Sequence, residues 1–288
     1  MSVEILLAFL ILVWGVNFPI VKAALQQFTP LAFNALRFIL AASALWLAAW
    51  QRGVDMRLTR EEVRQYSMLG LLGVTLYQIL FIEGIARTTA GNSALILNSS
   101  PILIACGSHL LGHERLRGRT MAGALLAFAG LYFIITGKPQ SVATPTSIFG
   151  DLLTLAAASI WAAYTIMAQS YIKAGSALKV TAYATAFGTI PLLLWCAPAL
   201  AKQNWQQIEV TGWCGLLFSA LLSIAAAQLI WNLAVSRIGS TRTSLYSNLV
   251  PVVGLIAGVI LLGERVSMLQ TFGTIATLAG VALARWQR

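Results

Sequence analysis

The sequence predicts an all-α integral membrane protein: ten transmembrane helices arranged as two inverted five-helix repeats. Three observations carry that prediction. The chain of 288 residues is 58% hydrophobic and only 10% charged, a balance foreign to soluble domains. Its apolar residues fall in ten runs, each near the roughly 20 residues that cross a hydrocarbon core of about 30 Å. Its second half also echoes its first: at a shift of 150, Gln78, Arg87, Asn98, Pro101, Glu114 and Arg115 fall on Gln228, Arg237, Asn248, Pro251, Glu264 and Arg265. Coincident Leu or Ala is cheap in an apolar chain, but coincident Gln, Asn, Pro, Glu and Arg is not. Five spans per copy is an odd number, so the second copy enters the bilayer upside down, the plan of many secondary transporters.

The spans run at roughly 3–25, 30–50, 65–86, 90–111, 118–137, 147–172, 178–198, 211–236, 241–262 and 267–285. The first opens on Glu4 without a basic leader or a following small-residue cleavage site, so it reads as a span and not a signal peptide. Residues 137–150, GKPQSVATPTSIFG, are rich in Pro, Gly, Ser and Thr and form the clearest linker. Residues 1–137 are accordingly the first repeat, 138–149 a periplasmic linker, and 150–288 the second, inverted repeat. Gly123 and Gly130 recur as Gly273 and Gly280, seven apart and so nearly on one helical face. Small faces let membrane helices approach closely, either within the chain or in a homodimer. Alternating strands of about 10 residues, the mark of an outer-membrane barrel, are absent from the sequence.

Lys and Arg set the orientation. Loops on the side of the termini carry thirteen of them, including Arg52, Arg57, Arg60 and Arg64, against five on the opposite side. The positive-inside rule then puts both termini in the cytoplasm of a multi-pass protein of a bacterial inner membrane. The net charge of +10 follows from that asymmetry together with anionic inner-leaflet lipid, and nucleic acid is not called for.

Within the spans, polar and aromatic residues recur in both halves. Trp14 and Asn17 share a face of the first span, which Pro19 should kink, and Trp161 and Tyr164 repeat that spacing in the sixth. Gln78 with Phe81, beside Tyr77, is matched by Gln228 with Trp231. Each pattern has two readings: bundle packing with interhelical hydrogen bonds, or the wall and polar contacts of a substrate cavity. A buried amide must find a partner under either, since an unpaired one costs roughly 2–7 kcal/mol. Asn98-x-x-Pro101 and Asn248-x-x-Pro251 are paired candidate hinges, with Ser244 and Tyr246 as weaker polar candidates beside the second. Arg37, inside the second span, is read as a structural charge, by snorkelling or pairing. Glu83, near the outer end of the third, is an interfacial charge or a proton-coupling group.

Soluble-type chemistry finds no footing. His109 and His113 precede Glu114 in the order H-L-L-G-H-E, not the H-E-x-x-H of a zinc protease, so no metal is expected. Neither a G-x-S-x-G elbow nor a phosphate-binding Gly-Lys loop occurs, and no cofactor motif is present. Cys106, Cys196 and Cys214 lack metal or redox spacing and read as small core residues.

At WGVNFPIVK (14–22), Ala35-Leu36-Arg37-Phe38 and Gly263-Glu264-Arg265, the chain resembles the drug/metabolite transporter superfamily, in particular its EamA-type ten-helix members. The first copy departs from the Gly-Glu pattern, with His113 between Gly112 and Glu114. The resemblance implies an aromatic-lined central cavity at Trp14, Tyr77, Trp161, Tyr164 and Trp231, and efflux as the direction. The expected protein is therefore a secondary transporter, not an enzyme, exporting small amphipathic metabolites (amino acids, related compounds or drugs) by alternating access. Asn17, Gln78, Asn98, Gln228 and Asn248 would hydrogen-bond the cargo's polar head. Few carboxylates lie at mid-membrane, which favours neutral or zwitterionic cargo. Uptake, or translocation of lipid or sugar conjugates, is the alternative on the same scaffold; an integral-membrane enzyme would need a reactive constellation that the sequence lacks.

Overall fold

In the computed structural model, residues 2–85, 87, 96–115, 117–136, 148–173, 176–262 and 266–285 are described. The regular elements are helices: α1 (Val3–Ala24), α2 (Pro30–Gln51), α3 (Arg60–Gly70), α4 (Tyr77–Ile85), α5 (Ser100–Leu110), α6 (Gly118–Thr136) and α7 (Ile148–Lys173). They continue with α8 (Ala177–Lys202), α9 (Val210–Phe218), α10 (Ala227–Ile238), α11 (Ser240–Ser247), α12 (Val250–Leu262) and α13 (Met268–Arg285). Among the described residues, six stretches are long and apolar enough to cross a membrane: α1, α2, Arg60–Gly84, α7, α8 and Val210–Ile238. Shorter apolar helices are α5, α6 and α13. Turns at Asn98–Ser99 and Asn248–Leu249 precede α5 and α12.

Local chemistry explains where helices begin. Ser2 caps α1, accepting from the Ile5 amide, and Glu4 lies in the first turn, where a carboxylate suits the helix dipole. Pro30 opens α2, where its missing N–H costs nothing. Thr59 and Glu62 form a reciprocal capping box on α3. Ile148 and Phe149 already belong to α7, with Asp151 in its first turn, so the helix starts two residues inside the linker expected at 138–149. The remainder of that linker, Gly263–Arg265 and the C-terminal Trp286–Arg288 lie outside the described residues.

Two π-helical turns interrupt the long spans. Leu71–Leu76 joins α3 to α4, and Ser219–Ala226 joins α9 to α10. Both end two residues before a glutamine, Gln78 or Gln228, so the irregularity recurs at the 150-residue shift. Such wide turns frequently sit at functional sites.

The chain forms two compact units, Met1–Leu76 with Met167–Ser236, and Tyr77–Ile166 with Arg237–Arg288. In the first, α8 packs against α2, α3 and the first π turn. A Cβ on Gly188 would lie 2.2 Å from the Gly70 carbonyl oxygen, and Thr75 Oγ1 donates to the Gly188 carbonyl at 2.7 Å. Phe28, Phe33, Ala24 and Leu216 make an apolar cluster. Gln203 secures the turn after α1, accepting from the Thr29 amide at 2.7 Å and donating to the Gln27 carbonyl at 3.1 Å. Near the start of α3, Lys179 bridges to Glu62 at 2.8 Å, and Tyr183 donates to the Met56 carbonyl at 2.5 Å.

In the second unit, α6 and α13 form the closest helix pair. A Cβ on Gly123 would stand 2.5 Å from the Gly280 carbonyl oxygen, and one on Gly130 would stand 2.5 Å from the Thr277 amide nitrogen. The repeated small faces are therefore spent on each other within the chain. Helices α5 and α11 meet through Ser108 and Ser240, whose hydroxyls lie 2.7 Å apart. Glu114, beyond α5, accepts from the Ser240 amide at 2.7 Å and its hydroxyl at 3.1 Å. This carboxylate thus caps a helix distant in sequence.

Candidate functional site

The aromatic candidates fall into one cluster per unit. In the first unit, Trp14 of α1 lies 5.5 Å, ring centre to centre, from Trp231 of α10. The Trp14 indole donates to the Ser223 carbonyl at 2.9 Å. Ser223 belongs to the second π turn, where the wide backbone departs from ordinary α-helical pairing. Trp14 is half-buried, whereas Trp231 is only 1% exposed. Trp231 therefore lies behind Trp14 as its packing support.

In the second unit, Tyr77 of α4 lies 5.1 Å from Trp161 of α7, and Trp161 stacks on Tyr164 at 5.3 Å. Phe81 extends the series, 5.7 Å from Tyr77. Tyr164 is buried, while Tyr77 and Trp161 keep partial exposure. Ile104, Ala162 and Ile166 pack beside Trp161. Aromatic pairs at these separations contribute about 0.5–1.5 kcal/mol beyond their burial. Each cluster is thus a rigid apolar surface with a partly open ring.

Polar candidates divide by what their atoms do. Among the described residues, no donor reaches the buried carbonyl oxygen of Asn17 in the first unit or of Asn248 in the second. Buried acceptors are normally satisfied, so each of these oxygens suits a donor group on a ligand. Asn248 is 1% exposed. Gln78, Gln228 and Asn98 are half-buried. Ser244 spends its hydroxyl proton on the Thr241 carbonyl at 2.9 Å.

Sequence reasoning missed four other buried groups: Asn34 Nδ2, Gln169 Oε1 and Ser219 Oγ in the first unit, and Thr165 Oγ1 in the second. None has a hydrogen-bond partner among the described residues. Their signal was present, since each is a polar residue inside an apolar run, but none repeats across the halves.

The prolines differ from expectation in placement. Pro19 does sit inside α1. Pro101 and Pro251, expected mid-helix, each occupy the second position of a new helix, α5 or α12. The break precedes them, at Asn98–Ser99 and Asn248–Leu249, where Asn248 and Leu249 donate to the Leu245 and Tyr246 carbonyls. Hydroxyls occupy carbonyls around the breaks: Ser99 on Ile96, Ser100 on Leu97, and Ser247 on Ser244. Replacing Pro101 or Pro251 with Ala is therefore expected to cost less than about 1 kcal/mol of stability, because a first-turn amide has no partner to regain. Thermal unfolding of the purified variants checks this; a loss of several kcal/mol would mean that the ring itself holds the break.

The charged candidates are both occupied. Glu83 pairs with Arg87 one turn on, at a half-exposed position. Arg37 holds its guanidinium 5.4 Å from the centre of the Phe33 ring, a cation–π contact within the first unit. No group of three or more His, Cys, Asp or Glu that could hold a metal occurs among the described residues.

Comparison with known proteins places this geometry in a family. The EamA-like transporter family matches residues 1–136 and 148–286. An uncharacterized transporter of Archaeoglobus fulgidus is 30% identical, covering 97% of this chain and 96% of its own. The uncharacterized transporter YyaM of Bacillus subtilis is 28% identical over 94% of this chain and 89% of its own. A probable amino-acid metabolite efflux pump of Escherichia coli is 28% identical over 99% of this chain and 96% of its own. A crystal structure of a protein 20% identical superposes with a TM-score of 0.84, covering 99% of this chain and 96% of that one, which shows a shared fold. With apolar helices throughout and both halves matched, the chain is a multi-pass membrane protein and belongs to the EamA-like transporter family, within the drug/metabolite transporter superfamily.

Proposed function

We propose that this transporter exports small amphipathic metabolites, amino acids or close relatives, across a bacterial inner membrane by alternating access. The observation that carries the reading is the matched pair of aromatic clusters, Trp14 with Trp231 and Tyr77 with Trp161 and Tyr164. Each unit also holds a buried amide oxygen that no donor reaches among the described residues, on Asn17 and Asn248. Rings suit an apolar side chain and carbonyl oxygens suit an ammonium group, two of the parts of an apolar amino acid. The Escherichia coli relative, a probable amino-acid metabolite efflux pump, supports both the cargo and the direction. The recurrence of π turns and Asn-x-x-Pro breaks at one shift supports ten spans in two inverted repeats, and the Lys/Arg asymmetry supports cytoplasmic termini.

Counterflow of labelled apolar amino acids into proteoliposomes tests the activity. Trp161→Ala is expected to weaken binding by roughly 1–3 kcal/mol, the scale of lost packing in a pocket, and Trp161→Phe by less. Trp14 separates two contributions, since Trp14→Phe keeps a ring but loses the bond to Ser223, worth about 1 kcal/mol. Equilibrium binding by Trp14→Ala and Trp161→Ala at parental strength would assign these rings to the bundle core.

A further inference from the structure

Outside the aromatic clusters, the first unit holds a groove of about 500 Å³ between α3 and the end of α7, within the roughly 300–1,000 Å³ of small-ligand sites. On α3 and the π turn it is lined by Arg64, Met68 and Leu71, spaced i, i+4 and i+7 and so on one helical stripe. Across from them stand Met167 and Tyr171, again one turn apart. Polarity is graded along the groove. Arg64, Gln65, Ser67 and Tyr171 lie toward the start of α3 and the end of α7, while Met68, Leu71 and Met167 lie farther along both helices. Met68 and Leu71 are 44% and 40% exposed, an uncovered apolar floor beneath a rim where Glu61 accepts from both Arg64 and Gln65.

We propose that this groove binds an anionic phospholipid, with its phosphate at Arg64 and the upper part of an acyl chain on Met68, Leu71 and Met167. Charge complementarity selects that occupant. Arg64 gives only one nitrogen, Nη2, to Glu61 at 3.1 Å, and its side chain is 80% exposed, so the remaining guanidinium donors stay available. The adjacent Glu62 is committed to Lys179, Tyr66 and the Thr59 amide and does not compete for Arg64. The sense of the gradient fits an inner-leaflet lipid and rests on the cytoplasmic orientation proposed above, where Arg52, Arg57, Arg60 and Arg64 gather between the end of α2 and the first half of α3.

The test measures binding of phosphatidylglycerol and phosphatidylcholine to the purified full-length transporter in detergent, by native mass spectrometry. It needs neither transport nor a known orientation, so its failure leaves the export reading standing, and the reverse holds too. The parent is expected to prefer phosphatidylglycerol. Arg64→Gln should weaken that lipid about fivefold, the scale of one basic residue meeting an anionic headgroup, and weaken phosphatidylcholine, whose choline cation offsets the charge of its phosphate, by less. Met68→Gln should weaken both lipids, and Arg52→Gln, outside the groove, neither. Equal binding of the two lipids by the parent, or an unaltered preference in Arg64→Gln, overturns the proposal. So does displacement of the lipid by millimolar glycerol phosphate, which would reveal a bare phosphate site. Displacement by an apolar amino acid also overturns it, because the groove would then be a mouth for cargo.

Discussion

Gly130→Ala in α6 is expected to lower the unfolding temperature sharply, while Gly118→Ala at the start of the same helix leaves it unchanged. The added methyl at Gly130 would lie 2.5 Å from the Thr277 amide nitrogen and 2.6 Å from the Gly273 carbonyl oxygen, whereas at Gly118 it meets nothing within 4 Å. Backbone atoms cannot rotate aside as a side-chain tip can, so α6 and α13 must separate. Thr277, whose hydroxyl donates to the Gly273 carbonyl at 2.9 Å, moves with them. Overpacking costs typically about 1–3 kcal/mol, and Gly130→Leu should exceed that range and yield no monodisperse protein. Thermal unfolding and size-exclusion profiles in detergent decide the matter. A Gly130→Ala variant that melts with Gly118→Ala would refute the close crossing of α6 and α13.

Glu114 is the second position where a large effect is expected. Its Oε1 accepts from both the amide and the hydroxyl of Ser240, and stands 3.5 Å from the Thr241 amide. Glu114→Ala removes a charge-assisted cap and should cost about 1.5–3 kcal/mol; Glu114→Gln keeps the shape and should cost less. Gly239, the residue before α11, has φ +89°, and a Cβ there would lie 2.5 Å from the same carboxylate oxygen. Gly239→Ala therefore adds a clash to backbone strain. The two substitutions should not be additive: Glu114→Ala removes the atom that the new methyl strikes, so the double variant should be less destabilised than the sum of the singles. Additive losses would show that the carboxylate does not press on Gly239.

Much of this was legible in the chain and some was not, for separable reasons. The glycine faces of α6 and α13 could be read because a spacing of seven keeps residues on one side of a helix, and the repeat supplied the partner. The aromatic candidates could be read because Trp14 and Trp161, like Gln78 and Gln228, recur at nearly one shift. Ring depth could not: Trp231 lies behind Trp14 and Tyr164 behind Trp161, and burial depends on neighbours that no spacing reveals. The bond from Trp14 to Ser223 was equally hidden, since it depends on a π turn that hydropathy does not distinguish from an α turn. Pro101 and Pro251 were read as kinks within continuous helices because their flanks are apolar on both sides. The breaks belong instead to Asn98–Ser99 and Asn248–Leu249, with serine hydroxyls on carbonyls close by.

The wide turns before Gln78 and Gln228 act as phase shifters. One added residue rotates everything beyond it by about 100° around the helix axis. A helical wheel drawn straight through Arg60–Gly84 or Val210–Ile238 is in register on one side of the turn and out of register on the other. Residues that a wheel through Val210–Ile238 places about 100° apart, one from α9 and one from α10, can share a face. A scanning-cysteine accessibility profile along either span should therefore show two periodic tracks, offset where the turn lies.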